Sequence, residues 1–401
     1  MQIYYYLFAL GLSLQSVPVL TGFSIYLSDI SALLFACFAL LNYKKVNFDF
    51  LILAASFLVG YILIANLSNY YLIKEFSFLG FFTNFLKLLA IFFILLFSPS
   101  LVRVLDTYKL IKAILVILCF HCLIVILDQY IVYPWGFNND GLTFNAPNEL
   151  ANLAGRARGL FEEPSFFAFY AGVTTSVILQ YEKIKKVKVV NFFHVLIIFS
   201  GLIAAGSLTA LAALFIVFVQ LLIVKKEEYI NFRKFLESSA VLLISFPLII
   251  TLLLSSVTYL SGRITDTGSP IVRLYGGTMF TVAVVEDRPL IGVGLGGKNQ
   301  DNFYETLEDT INFDLFDMDA ETSFSTVTFW SALVAAGGLP AFFIYYLFIN
   351  GYMIIKPALR YLGITVLILG ATKGGVFDIF LWWLIAFSIS VPSRKKSEAY
   401  E

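Results

Sequence analysis

Long apolar runs separated by short charged turns dominate this chain. They predict helices near residues 3–21, 25–41, 49–66, 79–97, 109–127, 164–181, 191–206, 207–224, 236–258, 323–350, 358–372 and 374–391. Most of these reach the length needed to cross a hydrocarbon layer, about 20 residues at ~1.5 Å each. Gly206-Ser207 supplies one break between neighbouring runs, and Lys373-Gly374-Gly375 another. The first run, MQIYYYLFALGL, has neither a basic leader nor a small-residue cleavage site, so it reads as a retained span.

The charges between the runs set an orientation. With the N-terminus inside, the turns at 42–48, 98–108, 182–190, 225–235 and 356–357, the tail from 392 and the adjoining helix ends are cytoplasmic. Together they hold 18 of the 27 lysines and arginines, including the clusters YEKIKKVK, KKEEYINFRK and SRKK. Basic residues collect on the cytoplasmic side of membrane proteins, so both termini are expected there. Two segments are too long and polar to be turns, roughly 128–163 and 259–322, and both fall on the outer face. The expected fold is therefore an all-α polytopic integral membrane protein: a single domain over 1–401 with about twelve transmembrane helices and two long outer loops. Long loops of this kind are usually functional or disordered, and the aromatics and glycine turns here argue against plain disorder.

Composition supports the same class. Hydrophobic residues make up 59% and charged residues 13%, against about 25% charged in soluble domains; mean hydropathy is +0.86. Formal net charge is zero, without a basic tail, which gives no footprint for nucleic acid. Cys37, Cys119 and Cys122 all lie in apolar runs, so CFHC reads as packing rather than redox chemistry or a zinc site. His121 and His194 likewise read as packing residues. Lys87 lies inside an apolar run, placed to snorkel or meet a lipid phosphate, and Lys373 and Asp378 fall near the outer end of the last span, placed to pair with one another.

Candidate chemistry gathers in the outer segments. RARGLFEEPSF, residues 156–166, stands directly before an uncharged helix. Pro164 suits a first helical turn. The free N–H groups and positive dipole of a helix start favour an anion, and Arg156 and Arg158 add charge beside it. Two readings fit these residues. In one they bind a lipid-linked phosphate or diphosphate, with Glu162 and Glu163 orienting the arginines or acting as a general base. In the other they form a helix cap and an Arg–Glu cluster at the headgroup boundary. A second group joins Arg273, Arg288 and the glycine-rich DRPLIGVGLGG, residues 287–297, which is either a phosphate-cradling loop or a tight turn. The stretch around it, from Ile271, is partly apolar and reads as an element lying along the membrane surface. Asp314, Asp317 and Asp319 lack the spacing of a calcium loop. Glu321, just before the next helix, is a second candidate base. No metal site, nucleotide motif or cofactor is expected.

Several of these stretches resemble the bacterial O-antigen and capsule repeat-unit polymerases, often grouped with the O-antigen ligases. RARGLFEEPSFFAFYAG resembles that family's Arg-x-x-Gly-x-Phe-x-Glu-Pro-Ser signature. AAGSLTALAAL, residues 204–214, is similar to its serine-bearing helix start. Arg273 followed by DRPLIGVGLGG resembles its large-loop pattern, and ETSFSTVTFWSALVAAGGLPAFFIYY its following helix. The resemblance covers roughly 150–350. It implies a glycosyltransferase of the bacterial inner membrane that joins undecaprenyl-diphosphate-linked oligosaccharide repeats at the periplasmic face, with a chain-length regulator protein as partner. It further implies diphosphate contacts from Arg156, Arg158, Arg273 and Arg288, and a base at Glu163 or Glu321. Trp135, Tyr130 and Tyr133 would stack on sugars or anchor the interface. The related ligases carry a histidine near the start of the helix after the large loop; here that position reads Ala-Glu-Thr-Ser, which favours the polymerase. A ligase, a flippase of lipid-linked oligosaccharide and a solute transporter are the alternatives.

Overall fold

In a computed structural model, the chain is described over residues 2–14, 18–20, 25–41, 49–72, 78–132, 157–161, 163–225, 277–295, 299–300, 303, 328–371 and 377–391. Helix α1 (Gln2–Ser13) leads through a two-stranded antiparallel ladder, β1 (Pro18–Leu20) with β2 (Ile25–Tyr26), into α2 (Leu27–Leu41). Then follow α3 (Phe50–Leu72), α4 (Phe78–Val104), α5 (Thr107–Leu127, continued by a π-turn Asp128–Val132), α6 (Pro164–Lys185), α7 (Phe192–Ala205) and α8 (Leu208–Lys225). The remaining helices are α9 (Gly277–Asp287), α10 (Phe329–Ile355, with a π-stretch Ile344–Asn350), α11 (Arg360–Leu369) and α12 (Ile379–Ser390).

Among the described residues, α3, the α5 helix to Ile131 and α10 are long and apolar enough to cross a membrane. Their outward faces carry large side chains such as Leu53, Phe57, Ile64, Val116, Leu123 and Leu347, all exposed. A helix apolar on its outer face as well as its inner one belongs in lipid or a protein core rather than in water. Helices α6 and α12 form the centre: nearly every residue from Pro164 to Glu182 and from Ile379 to Phe387 is buried. Around them α8 and α11 pack on α6, while α4 packs on α12 and α2.

Buried polar side chains tie the core helices together. Ser176 of α6 meets Thr365 of α11 at 2.7 Å, and Gln220 of α8 donates to the same Thr365 at 2.9 Å. Gln180 accepts from the backbone N–H of Tyr361 at 3.1 Å. Where no water competes, such interhelical bonds hold helices in register, each contributing about 1 kcal/mol.

The ends of the bundle differ in charge. At one end Thr107 bonds Tyr181, Lys183 donates to Tyr361, and Lys356 reaches Asp49. Lys109, Lys112, Lys188 and Arg360 occupy the same helix ends. At the other end Phe329 donates its N–H to Gly370, its ring meets Phe169, and Tyr170 meets Phe380. That second end carries Arg158, Glu163 and Asp378.

Two expectations need correction, and one stretch gains detail. The first helix, expected over 3–21, stops at Ser13, because Pro18 lacks an amide donor and forces the chain into the extended ladder. Within the stretch 271–297 expected to lie along the membrane surface, Gly277–Asp287 forms a helix, α9, that packs on α10. Its Phe280 and Val284 are buried against Val293, Phe303, Val334 and Ala335. The helix expected over 323–350 is not continuous: Gly337 and Gly338 leave helical geometry, Gly338 at φ +66°. The expected span 236–258, most of both outer loops and the tail from 392 lie outside the described residues.

Asp49 sits one residue before α3. Its carboxylate accepts from the Tyr352 hydroxyl at 2.6 Å and from Lys356. Burial alone would raise its pKa, but the Lys356 and Tyr352 bonds outweigh that and hold it below the ordinary 3.8. A carboxylate of this kind adds stability above its unfolded pKa and loses it as pH falls through the folded value. Asp49→Asn should therefore cost about 1–3 kcal/mol at neutral pH, between the exposed and buried cases. Thermal unfolding in detergent should show the gap to wild type closing below about pH 4.

Candidate functional site

Residues 157–161 form a strap lying across the end of α5. Three successive backbone N–H groups of the strap are taken by two adjacent side chains. Asp128 Oδ2 accepts from Arg158 and Gly159, each at 3.0 Å, and Gln129 Oε1 accepts from Ala157 at 3.1 Å. Consecutive amides converging on one carboxylate form the concavity that elsewhere binds anions. Here the protein fills it with its own aspartate.

Gly159 makes the strap possible. Its φ is +58°, and a Cβ would lie 2.8 Å from a Val125 methyl. The chain then closes a turn, Phe161 N–H to Arg158 C=O at 3.1 Å, and drives Phe161 into the bundle. The Phe161 ring is 1% exposed and lies 5.2–5.6 Å from the rings of His121, Phe167 and Tyr170. His121 bonds Ser13 at 2.7 Å, which ties α1 to the same cluster. His194, at the opposite end, caps α7 by accepting from Asn191 at 3.3 Å.

Glu163 is extended (φ −139°, ψ 154°), as a residue before proline prefers, and Pro164 opens α6. Its carbonyl accepts from Phe166 at 3.1 Å, and its carboxylate accepts from the Ser165 hydroxyl at 2.8 Å. Arg158 is 1% exposed. The strap thus brings Arg158, Glu163 and the start of a wholly buried helix to one place.

Arg288 sits elsewhere. It follows α9, pairs with Asp287 at 2.8 Å and lies over the Phe303 ring. The glycine-rich turn after it faces inward. Val293 and Gly294 both donate to the Ala335 carbonyl at 2.9 Å, and Leu339 donates to Pro289 at 2.8 Å, so the turn fills the break in α10. Asn66 of α3 clamps the junction. It donates to Ala336 at 2.9 Å and accepts from Leu295 at 2.6 Å. Asn69 and Tyr61 donate to carbonyls of Leu290 to Gly292. The amides of Gly292, Val293, Gly294 and Leu295 are thus spent on the protein, while Gly296 and Gly297 lie outside the described residues.

Comparison of the chain with protein-family models, with curated proteins and with solved structures finds no match. The geometry must carry the reading of the site. Arg156, Glu162, Arg273, Glu321, Trp135 and Tyr133 lie outside the described residues, as does the acidic run 308–322. Tyr130 is half-exposed beside the strap's anchor. Among the described residues no three His, Cys, Asp or Glu side chains lie close enough to hold a metal. Asp128, Gln129, Asn66 and Asn69 were not among the sequence candidates. Asp128 did carry a signal: a carboxylate at the very end of an apolar run.

Gly338 and Gly60 make a controlled pair for the junction. A Cβ on Gly338 would meet the Pro289 carbonyl at 2.4 Å, while one on Gly60 meets nothing within 4 Å. Gly338→Ala should destabilise by at least about 2 kcal/mol through strain at positive φ and a forced backbone shift. Gly60→Ala should stabilise by up to about 1 kcal/mol through helix propensity. Unfolding in the same detergent separates the two signs.

Proposed function

We propose that this chain is a polytopic membrane glycosyltransferase that polymerises lipid-linked oligosaccharide repeats at the outer face of the bacterial plasma membrane. The observation that carries the reading is the strap 157–161 with its buried Arg158, which leads to Glu163 at the mouth of a largely buried helix. Arginine and glutamate at that level are costly unless they serve a charged ligand or a proton transfer. The lysine-rich opposite end of the bundle supports an orientation in which the strap faces away from the cytoplasm.

The chemistry needs no nucleotide, because the donor is already activated. The sugar–diphosphate C–O bond breaks and its electron pair leaves with undecaprenyl diphosphate. The acceptor hydroxyl of the incoming repeat forms the new glycosidic bond and gives its proton to a carboxylate, Glu163 in this reading, with Glu321 the other candidate. Arginines stabilise the charge that develops on the leaving diphosphate. Arg158 is closed off from solvent, so its contribution is the positive potential it adds; direct contacts fall to Arg156 and Arg273, with Arg288 further out. Glu163 already accepts a hydroxyl hydrogen bond from Ser165, which fixes the direction of its carboxylate.

Deleting the gene in its source strain should collapse the long glycolipid ladder on a gel to core plus a single repeat. Arg156→Ala and Glu163→Gln should each lower chain extension by about 100-fold or more while the protein still inserts. A normal ladder in both variants would remove the strap from the mechanism. Loss of every repeat on deletion would point instead to a ligase or a flippase.

A further inference from the structure

We infer that the turn joining α6 to α7 is a docking site for an anionic phospholipid, with Lys186 and Lys188 at the headgroup phosphate and Phe192 and Phe193 against the acyl chains. This needs only that the chain lies in a membrane, whatever reaction it performs.

The turn has a fixed shape. Glu182, buried near the end of α6, accepts from the backbone N–H groups of Val189 and Val190, the second at 2.6 Å, and both valines are buried. Asn191 then caps α7, with His194 closing the reciprocal bond. Between these two fixings Lys186, Val187 and Lys188 stand exposed. Phe192 and Phe193 open the apolar helix α7 and are exposed as well, Phe193 at 64%.

Other lysines of this end have structural duties. Lys183 donates to the Tyr361 hydroxyl and lies over its ring, Lys109 pairs with Asp106, and Lys356 pairs with Asp49. The described carboxylates of this end are thereby engaged: Asp49 and Asp106 with those lysines, Glu182 with the amides of the turn. Lys186 and Lys188 have no hydrogen bond or ion pair among the described residues.

Lys186 also stands where lysine is a poor structural choice. It closes α6 in the left-handed region, φ 54° and ψ 39°, which strains any residue with a Cβ. The next helix, α7, ends in nearly the same conformation, and there the residue is Gly206 at φ 55°. A lysine kept where glycine would relieve strain points to a use for its ammonium group. Two ammonium groups beside two exposed rings match a molecule with a negative phosphate and apolar tails. An acidic protein would use the charges but leave the rings in water.

Native mass spectrometry of the purified full chain in neutral detergent tests this by titration with phosphatidylglycerol and with phosphatidylcholine. Wild type should bind phosphatidylglycerol about tenfold more tightly or better. Lys188→Gln should weaken that binding about fivefold, and Lys188→Gln combined with Lys186→Gly about 25-fold, with phosphatidylcholine unmoved. Lys186→Gly alone should lose phosphatidylglycerol affinity while its Tm in neutral detergent equals or exceeds wild type, because glycine takes the turn without strain. A fall in Tm with lipid affinity intact would assign the lysine to the fold and overturn the inference. Equal affinity for the two lipids in wild type, or unchanged phosphatidylglycerol binding in the double variant, would overturn it too. A chain that ignores phosphatidylglycerol but binds poly-glutamate through the same two lysines would make the turn a docking face for an acidic protein instead.

Discussion

Backbone amides and carbonyls have no water to turn to inside an apolar bundle, and this constraint governs the structure. A continuous helix meets the requirement by itself. Wherever the chain leaves helical geometry, another part of the protein has to supply the missing partners, because an orphaned buried polar group costs about 1–3 kcal/mol. Two such places among the described residues show how this is done. At Gly337-Gly338 the broken helix is completed by the turn 289–295, with Asn66 spanning the gap. At 157–159 the entering strap is completed by Asp128 and Gln129. In both cases the partners come from distant sequence, so each repair also locks two elements together.

This has a consequence for how the site can work. A glycine-rich loop and a strap of consecutive amides are both shapes that bind phosphate when their N–H groups are free. In this chain they are engaged inward, by Ala335 in one case and Asp128 in the other. Among the described residues, the amides of 157–159 and 292–295 are therefore not open to an anion. The rigid α6 beneath provides the reference frame, since nearly all of its residues from Pro164 to Glu182 are buried.

Helix positions were largely legible in the apolar runs. The runs at 25–41, 109–127, 164–181, 191–206 and 207–224 correspond to α2, α5, α6, α7 and α8 with ends shifted by a few residues. The ends depend on local chemistry that hydropathy does not register: Asp106 caps α5, Asp378 caps α12, and the Thr328–Ser331 capping box starts α10 six residues later than the apolar run suggested. Pro18 and the Gly-Gly-Leu-Pro stretch of α10 were visible warnings of breaks. The nearness of Arg158 to Glu163 was readable because they share one short motif. Their anchors were not. Asp128 lies 30 residues from Arg158, and Asn66 lies 229 residues from Leu295. Such pairings are set by how helices pack, and a single sequence carries no local trace of them.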